Sequence, residues 1–381
     1  MIYVLTMSLL FSLMIATKLP PHLILSICFF IVISLLTKKR ILWHKRLFII
    51  NICWIMFIIF FIINYFSFHN NEFYIEAILF ICLISSMYVG IYSGIYFKDR
   101  LLHIFPIWVL VIFIQLIINN SIFQILNERW TITIGWLTSN AIGAALAFGV
   151  PLLILCINKT SNKFIKVLSA IEIALIVVTV FLLSSRGSIL ALTITAVYLF
   201  LFKKGKIKMI YMGTPVLLIL SFIFLKVELL KETFELTLKR ISSSGLNGRE
   251  DLWSEGFKLI KSNPIYGIGA RNGEHMDFHN PLLHISVHYG LIAAIPITVI
   301  ILSPLFIFVR FKVYRDKSAV IMMGTYIAII VQSSFEAILT PLITGVLGWY
   351  FIGLVYGYLL MTIKSYRDKK RSDMEDLKCN Y

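Results

Sequence analysis

The stretch "FLLSSRGSIL", residues 181–190, sets one arginine, Arg186, between two long apolar runs at 166–183 and 188–202. A membrane-crossing helix needs roughly 20 mostly apolar residues, and both runs approach that length. A charge at the bilayer centre costs at least about 2.5 kcal/mol, so Arg186 belongs at an interface. The two runs therefore read as antiparallel membrane helices joined by a tight "SSRG" turn. Gly187 is expected to permit the sharp reversal.

The rest of the chain repeats this pattern. Its 381 residues are 59% hydrophobic and only 14% charged, with a mean hydropathy of +0.89. A soluble domain carries about 25% charged residues, so a soluble fold is excluded. About twelve apolar runs are long enough to be spans: 2–17, 22–37, 47–67, 76–94, 101–119, 139–157, 166–183, 188–202, 209–225, 286–309, 318–335 and 346–363. Most of the 35 Lys and Arg residues lie in every second connection: "TKKRILWHKR", "FKDR", "NKTSNKFIK", "FKKGKIK", "RFKVYRDK" and the tail "KSYRDKKRSDMEDLK". Short basic loops stay in the cytoplasm, so the alternation puts both termini inside and Arg186 outside. The expected fold class is an all-α polytopic integral membrane protein with about 12 transmembrane helices and one long extracytoplasmic loop.

Four segments follow: N-terminal helices at 1–165, helices with the S-R-G turn at 166–225, the long outer loop at 226–285, and C-terminal helices with a basic tail at 286–381. The net charge of +16 resides mainly in topology-setting loops. It points to membrane lipids as neighbours and not to nucleic acid. Of the five cysteines, Cys28, Cys53, Cys82 and Cys156 lie in apolar runs and Cys379 in the tail, without disulfide or zinc spacing. The first run lacks a small-residue cleavage site and reads as a retained helix.

The segment 226–285 is the one long hydrophilic stretch, and its acidic and basic residues balance. A loop of this length is usually functional. Within it, "NGREDLWSEGFKLIKSNP" predicts an amphipathic helix with Asn247 as N-cap, Glu250 completing a capping box, and Asn263-Pro264 as the stop. Leu252, Trp253, Phe257 and Ile260 fall on its apolar face. Arg249 sits in its first turn, where the macrodipole is already positive. The same placement suits a bound anion, which would meet free N–H groups and a guanidinium. Arg186 repeats the arrangement at the outer end of the next span. Two readings stand side by side: a phosphate or diphosphate site, or arginines that snorkel or pair with nearby carboxylates such as Glu250 or Asp251.

Beyond this helix, "IYGIGARNGEHMDFHNPLLHISVHYG" holds His275, His279, His284 and His288. Gly267 and Gly269 permit a turn, and Pro281 suits the first position of a helix. His284 and His288 stand at i, i+4, a spacing that can bind zinc, but no acidic or cysteine ligand completes a set. His279, at the mouth of that helix, can accept a proton or orient a hydroxyl. Glu172, inside an apolar run, is either functional or a satisfied partner of a nearby Tyr or Ser.

Three blocks in order, "SSRGSILAL", "GREDLWSEGFKLIKSNPIYGIG" and "FHNPLLHISVHYG", resemble the C-terminal signature of the O-antigen ligase and O-antigen polymerase superfamily. The resemblance spans about residues 180–295. It implies a C-type, all-helical glycosyltransferase of the bacterial inner (cytoplasmic) membrane, with an extracytoplasmic active site. The implied donor is a polyprenyl-diphosphate-linked oligosaccharide, and the acceptor a glycan or lipid A-core. A flippase and a chain-length regulator are implied neighbours in O-antigen or capsule assembly. The family's paired arginines fall on Arg186 and Arg249, which would bind the diphosphate, and its histidine on His279, which would activate the acceptor hydroxyl. Arg271, Asn280 and His284 complete the expected substrate-binding set. Neither cofactor nor metal is expected. A polymerase is the first reading, with a ligase and a lipid-linked sugar transporter as alternatives. The outer loop is short for a large ligase acceptor, which favours the polymerase.

Overall fold

The structure is a computed structural model of the whole chain. It describes residue 10 and residues 47–68, 73–97, 99–120, 132–135, 137–183, 185–202, 249–269, 278–340 and 343–379. Apart from residue 10, the expected spans at 2–17, 22–37 and 209–225 lie outside the described residues.

The other nine expected spans are all helical. The described helices are α1 (Phe48–Phe68), α2 (Phe73–Ile95), α3 (Ile104–Asn119), α4 (Ser139–Lys159), α5 (Lys163–Leu182), α6 (Arg186–Phe202), α7 (Arg249–Ser262), α8 (Pro281–Tyr289), α9 (Leu291–Arg310), α10 (Lys317–Ser333) and α11 (Ile343–Cys379), with short extra turns at Asp99–Leu102 and Val313–Arg315. Six are long and apolar enough to cross a membrane, namely α1, α2, α4, α5, α9 and the first part of α11. The apolar helices α3, α6 and α10 are shorter. The main apolar core runs from Leu10 to Ile363 and takes in every helix named above except α7. On the outside of α1, Phe48, Ile49, Ile55 and Phe66 are exposed, as a lipid-facing surface requires.

The most extensive packing joins α2 to α11. Its cause is two interlocking Gly-x-x-x-Gly pairs, Gly90/Gly94 and Gly353/Gly357. A methyl group on Gly90 would overlap the carbonyl of Tyr350 and come within 2.8 Å of Leu354 N. One on Gly353 would overlap the carbonyl of Met87 and come within 2.9 Å of Ile91 N. Small residues let backbones touch, and dispersion then replaces the hydrophobic drive that lipid does not supply.

Three local readings differ from expectation. The run 286–309 is not one helix. α8 begins at Pro281 and stops at Gly290, whose φ of +87° breaks the helix before α9. α11 does not end near residue 363 but continues through the basic tail to Cys379. A short hairpin, β1 (Thr133–Ile134) and β2 (Leu137–Thr138), precedes α4 and has no counterpart in the apolar pattern.

The two ends of the bundle differ chemically. At one end Lys159 Nζ donates to Tyr358 OH at 3.2 Å, and the guanidinium carbons of Arg310 and Arg367 each lie 6.0 Å from the Phe311 ring centre. Asp316 caps α10 there by accepting from Ala319 N at 2.8 Å. From Lys159, α4 runs back about 30 Å at 1.5 Å per residue to Asn140. The start of α6 and the end of α10 meet it at that far end.

Candidate functional site

The N-terminus of α6 is seated on α4. Ser185 Oγ and Ser188 Oγ share a buried hydrogen bond of 2.8 Å, and a methyl on Gly143 would lie 2.7 Å from Ser188 Oγ. Arg186 is half-buried at the first position of α6. The opening turn of a helix has N–H groups without an intrahelical acceptor and a positive dipole end.

Gly187 corrects the expectation of a turn glycine. It lies within α6, outside the left-handed region, and its missing side chain makes room for Gln332. A methyl there would meet Gln332 Oε1 at 3.1 Å and Nε2 at 3.2 Å. Gln332 is fully buried, and its side-chain oxygen and nitrogen make no hydrogen bond among the described residues.

One turn beyond Gln332 stands Glu336, whose backbone N–H donates to the Gln332 carbonyl at 2.9 Å. Glu336 Oε1 accepts from Arg249 Nη2 at 2.7 Å and from Asn140 Nδ2 at 3.1 Å. Arg249 thus pairs with a carboxylate 87 positions away, not with its neighbours Glu250 or Asp251. The two side chains are 15% and 12% exposed, so the pair is largely out of water. The end of α10 therefore meets the starts of α4, α6 and α7, through Asn140, Gly187 and Arg249.

Trp253, one turn along α7 from Arg249, ties that helix to the histidine segment. Its indole N–H donates to the Phe278 carbonyl at 3.0 Å. Phe278, Leu283 and Val287 form a small separate core with Trp253, Leu259 and Ile260. Gly256 lies against Phe278, where a methyl would come within 3.0 Å of the ring. Phe257, on the expected apolar face, is 59% exposed, and the contact with Phe278 is made by Trp253 and Gly256.

His279 is next in the chain. Its φ of 50° is left-handed, which is uncommon for a residue with a side chain and clusters at functional sites. Asn280 caps α8: its Oδ1 accepts from Leu282 N and Leu283 N, both at 3.1 Å. That oxygen is committed to the helix. His284 is buried, with its ring 4.5 Å from that of His288. His288 Nδ1 lies 3.1 Å from the Gly269 carbonyl, so both rings are built into the packing of α8. Arg271, His275 and Asn247 lie outside the described residues. Among the described residues no group of three or more His, Cys, Asp or Glu side chains is placed to hold a metal.

Glu172 is buried in α5 beside Ser169, and neither carboxylate oxygen has a hydrogen-bond partner among the described residues. Sequence reasoning missed Glu336, Asn140 and Gln332. The one available signal was Glu336, a lone carboxylate between two apolar runs. It also missed Glu76, a buried carboxylate that accepts from Tyr289 OH.

Fold and site together define a polytopic helical membrane protein that carries a pair of arginines and a polar cluster at one end of its bundle. Residues 171–298 match the family model described as O-antigen ligase. The matched segment, which holds Arg186, Arg249 and His279, supports the resemblance to the O-antigen ligase and polymerase superfamily. No curated protein matches the chain.

Proposed function

We propose that the protein is a membrane glycosyltransferase that polymerises polyprenyl-diphosphate-linked oligosaccharide repeat units on the extracytoplasmic face. The observation that supports this reading is that the first turn of α6, which begins with Arg186, and the Arg249 side chain both meet the end of α10, through Gly187 against Gln332 and Arg249 on Glu336. Two guanidinium groups and the first N–H groups of α6 suit an anion of high charge.

In the reaction, the bond from the sugar's anomeric carbon to the diphosphate oxygen breaks, and the acceptor hydroxyl oxygen bonds to that carbon. Arg186 and Arg249 hold the charge that builds on the departing diphosphate. Preorganised donors of this kind act where water is excluded and need no reorganisation. His279 takes the acceptor's proton. Arg271 and His284 remain proposed substrate contacts, and Asn280 contributes by fixing the start of α8. The donor would be lipid-linked, and the acceptor a second such glycan. Transfer to lipid A-core is the second reading, favoured by the description of the matched family.

Arg186→Lys and Arg249→Lys keep the charge and lose the planar fork. Each is expected to abolish most polymer formation while the protein still inserts and purifies normally. The assay is purified enzyme in nanodiscs with lipid-linked repeat units, read by gel. Wild-type rates in both variants would reject the diphosphate clamp.

The proposed orientation has its own test. Ser262, at the exposed end of α7, is expected outside the membrane. A Ser262→Cys protein should react with an impermeant thiol reagent in intact cells. Labelling that appears only after permeabilisation would invert the topology.

A further inference from the structure

Glu336 sits where the proposed reaction least wants a negative charge. It contacts the arginine assigned to the donor diphosphate, in a pocket of low exposure. An ordinary structural ion pair would be satisfied by its partner alone. Here the same oxygen, Oε1, also accepts from Asn140 Nδ2 at 3.1 Å. Asn140 belongs to the first turn of α4 and does not depend on α7. The carboxylate thus keeps a hydrogen bond if Arg249 turns away. Arg249, for its part, contacts Glu336 through Nη2, one edge of a guanidinium that carries five N–H donors. Among the described residues Glu336 is its one ion-pair partner.

We infer that Glu336 is the resident counter-ion of Arg249, that the donor diphosphate displaces it, and that Asn140 retains the displaced carboxylate. The inference rests on the reading of Arg249 as a diphosphate ligand. It makes Glu336 and Asn140 positioning residues, acting through Arg249 and not on the sugar. The exchange solves a problem set by burial. An unpaired guanidinium out of water is costly, so a site that must be cationic for its substrate needs a substitute anion between turnovers. It also aids release. Once the diphosphate-bearing carrier is spent, Glu336 competes for Arg249 and helps to expel it.

The experiment uses the full-length protein in nanodiscs and two probes, inorganic pyrophosphate and polyprenyl diphosphate, with affinities measured by calorimetry. Glu336→Gln keeps size and an acceptor oxygen but removes the competing charge, and is expected to bind both probes about ten-fold more tightly or better. In turnover its KM for the lipid-linked donor should fall and its kcat should fall with it, because the spent carrier leaves slowly. Asn140→Leu removes the fallback partner, and both probes should bind several-fold more weakly. A merely structural role would weaken binding in both variants, so the opposite signs are decisive. Unchanged or weaker binding by Glu336→Gln overturns the exchange. If that variant does not fold, Glu336→Ala, which also removes the competing charge, takes its place: tighter binding of both probes supports the exchange, and unchanged or weaker binding overturns it. Tighter polyprenyl diphosphate with unchanged pyrophosphate would assign the effect to the lipid and also reject the exchange. A wild-type protein that binds neither probe would instead reject the diphosphate reading itself, and the inference would fall with it.

Discussion

Gly353→Leu is expected to leave almost no folded protein in the membrane. The side chain would begin inside the carbonyl of Met87, and the next neighbour, Ile91 N, is 2.9 Å away. These are backbone atoms of α2, so no rotamer change relieves the overlap. The two helices would have to separate along the Gly90/Gly94 and Gly353/Gly357 seam. The large buried rings beside it, Trp349, Tyr350 and Tyr358, would lose their packing as well. Overpacking by a few methylenes typically costs about 1–3 kcal/mol, and here the obstacle is backbone, so the cost should exceed that range. Gly149→Ala is the control. A methyl there meets the end of Val109 at 3.2 Å, a side chain that can shift. Size-exclusion profiles and thermal midpoints of detergent-solubilised protein test the pair. A Gly353→Leu variant with the wild-type midpoint would disprove the interlocked seam.

His279→Ala is expected to lower chain extension by roughly 10²–10⁴-fold while donor still binds, the range lost with a general base. Alanine is a poor probe by itself, because φ at this position is 50° and a plain Cβ residue is strained there. His279→Asn resolves this. Asparagine tolerates the left-handed region, so the backbone survives and only the imidazole is lost. Both variants should lose rate, and the asparagine form should keep the wild-type thermal midpoint. EDTA should leave wild-type activity unchanged. His288→Gln should behave differently, because that ring is buried against Gly269 and its own carbonyl accepts from Asn64 Nδ2 at 3.1 Å. Its main effect should fall on stability. Full activity in His279→Asn, or inhibition by the chelator, would reject the proposed metal-free base.

Much of the local structure was legible because local chemistry decides it. Asn280-Pro281 starts a helix, since proline supplies the fixed φ and asparagine the cap. Asn263-Pro264 ends α7, as expected. Nine apolar runs became helices because backbone groups in lipid must bond within their own segment. The three signature blocks all fall within residues 171–298, the segment that matches the family model.

The tertiary structure decided what those residues touch. Gly187 is in sequence a turn glycine and in space a seat for Gln332. The glycine pairs at 90/94 and 353/357 were not singled out from the sequence, and nothing local says that they face each other. Arg249 had two carboxylates within two positions, yet its partner is Glu336, shared with Asn140 from a third helix. The reason is geometric. Glu250 and Asp251 are adjacent in the chain and point to other faces of α7, because side chains on a helix meet only at spacings of three and four. A carboxylate that faces Arg249 has to come from another helix. Which helix supplies it depends on how α4, α7 and α10 pack, and sequence order does not contain that information.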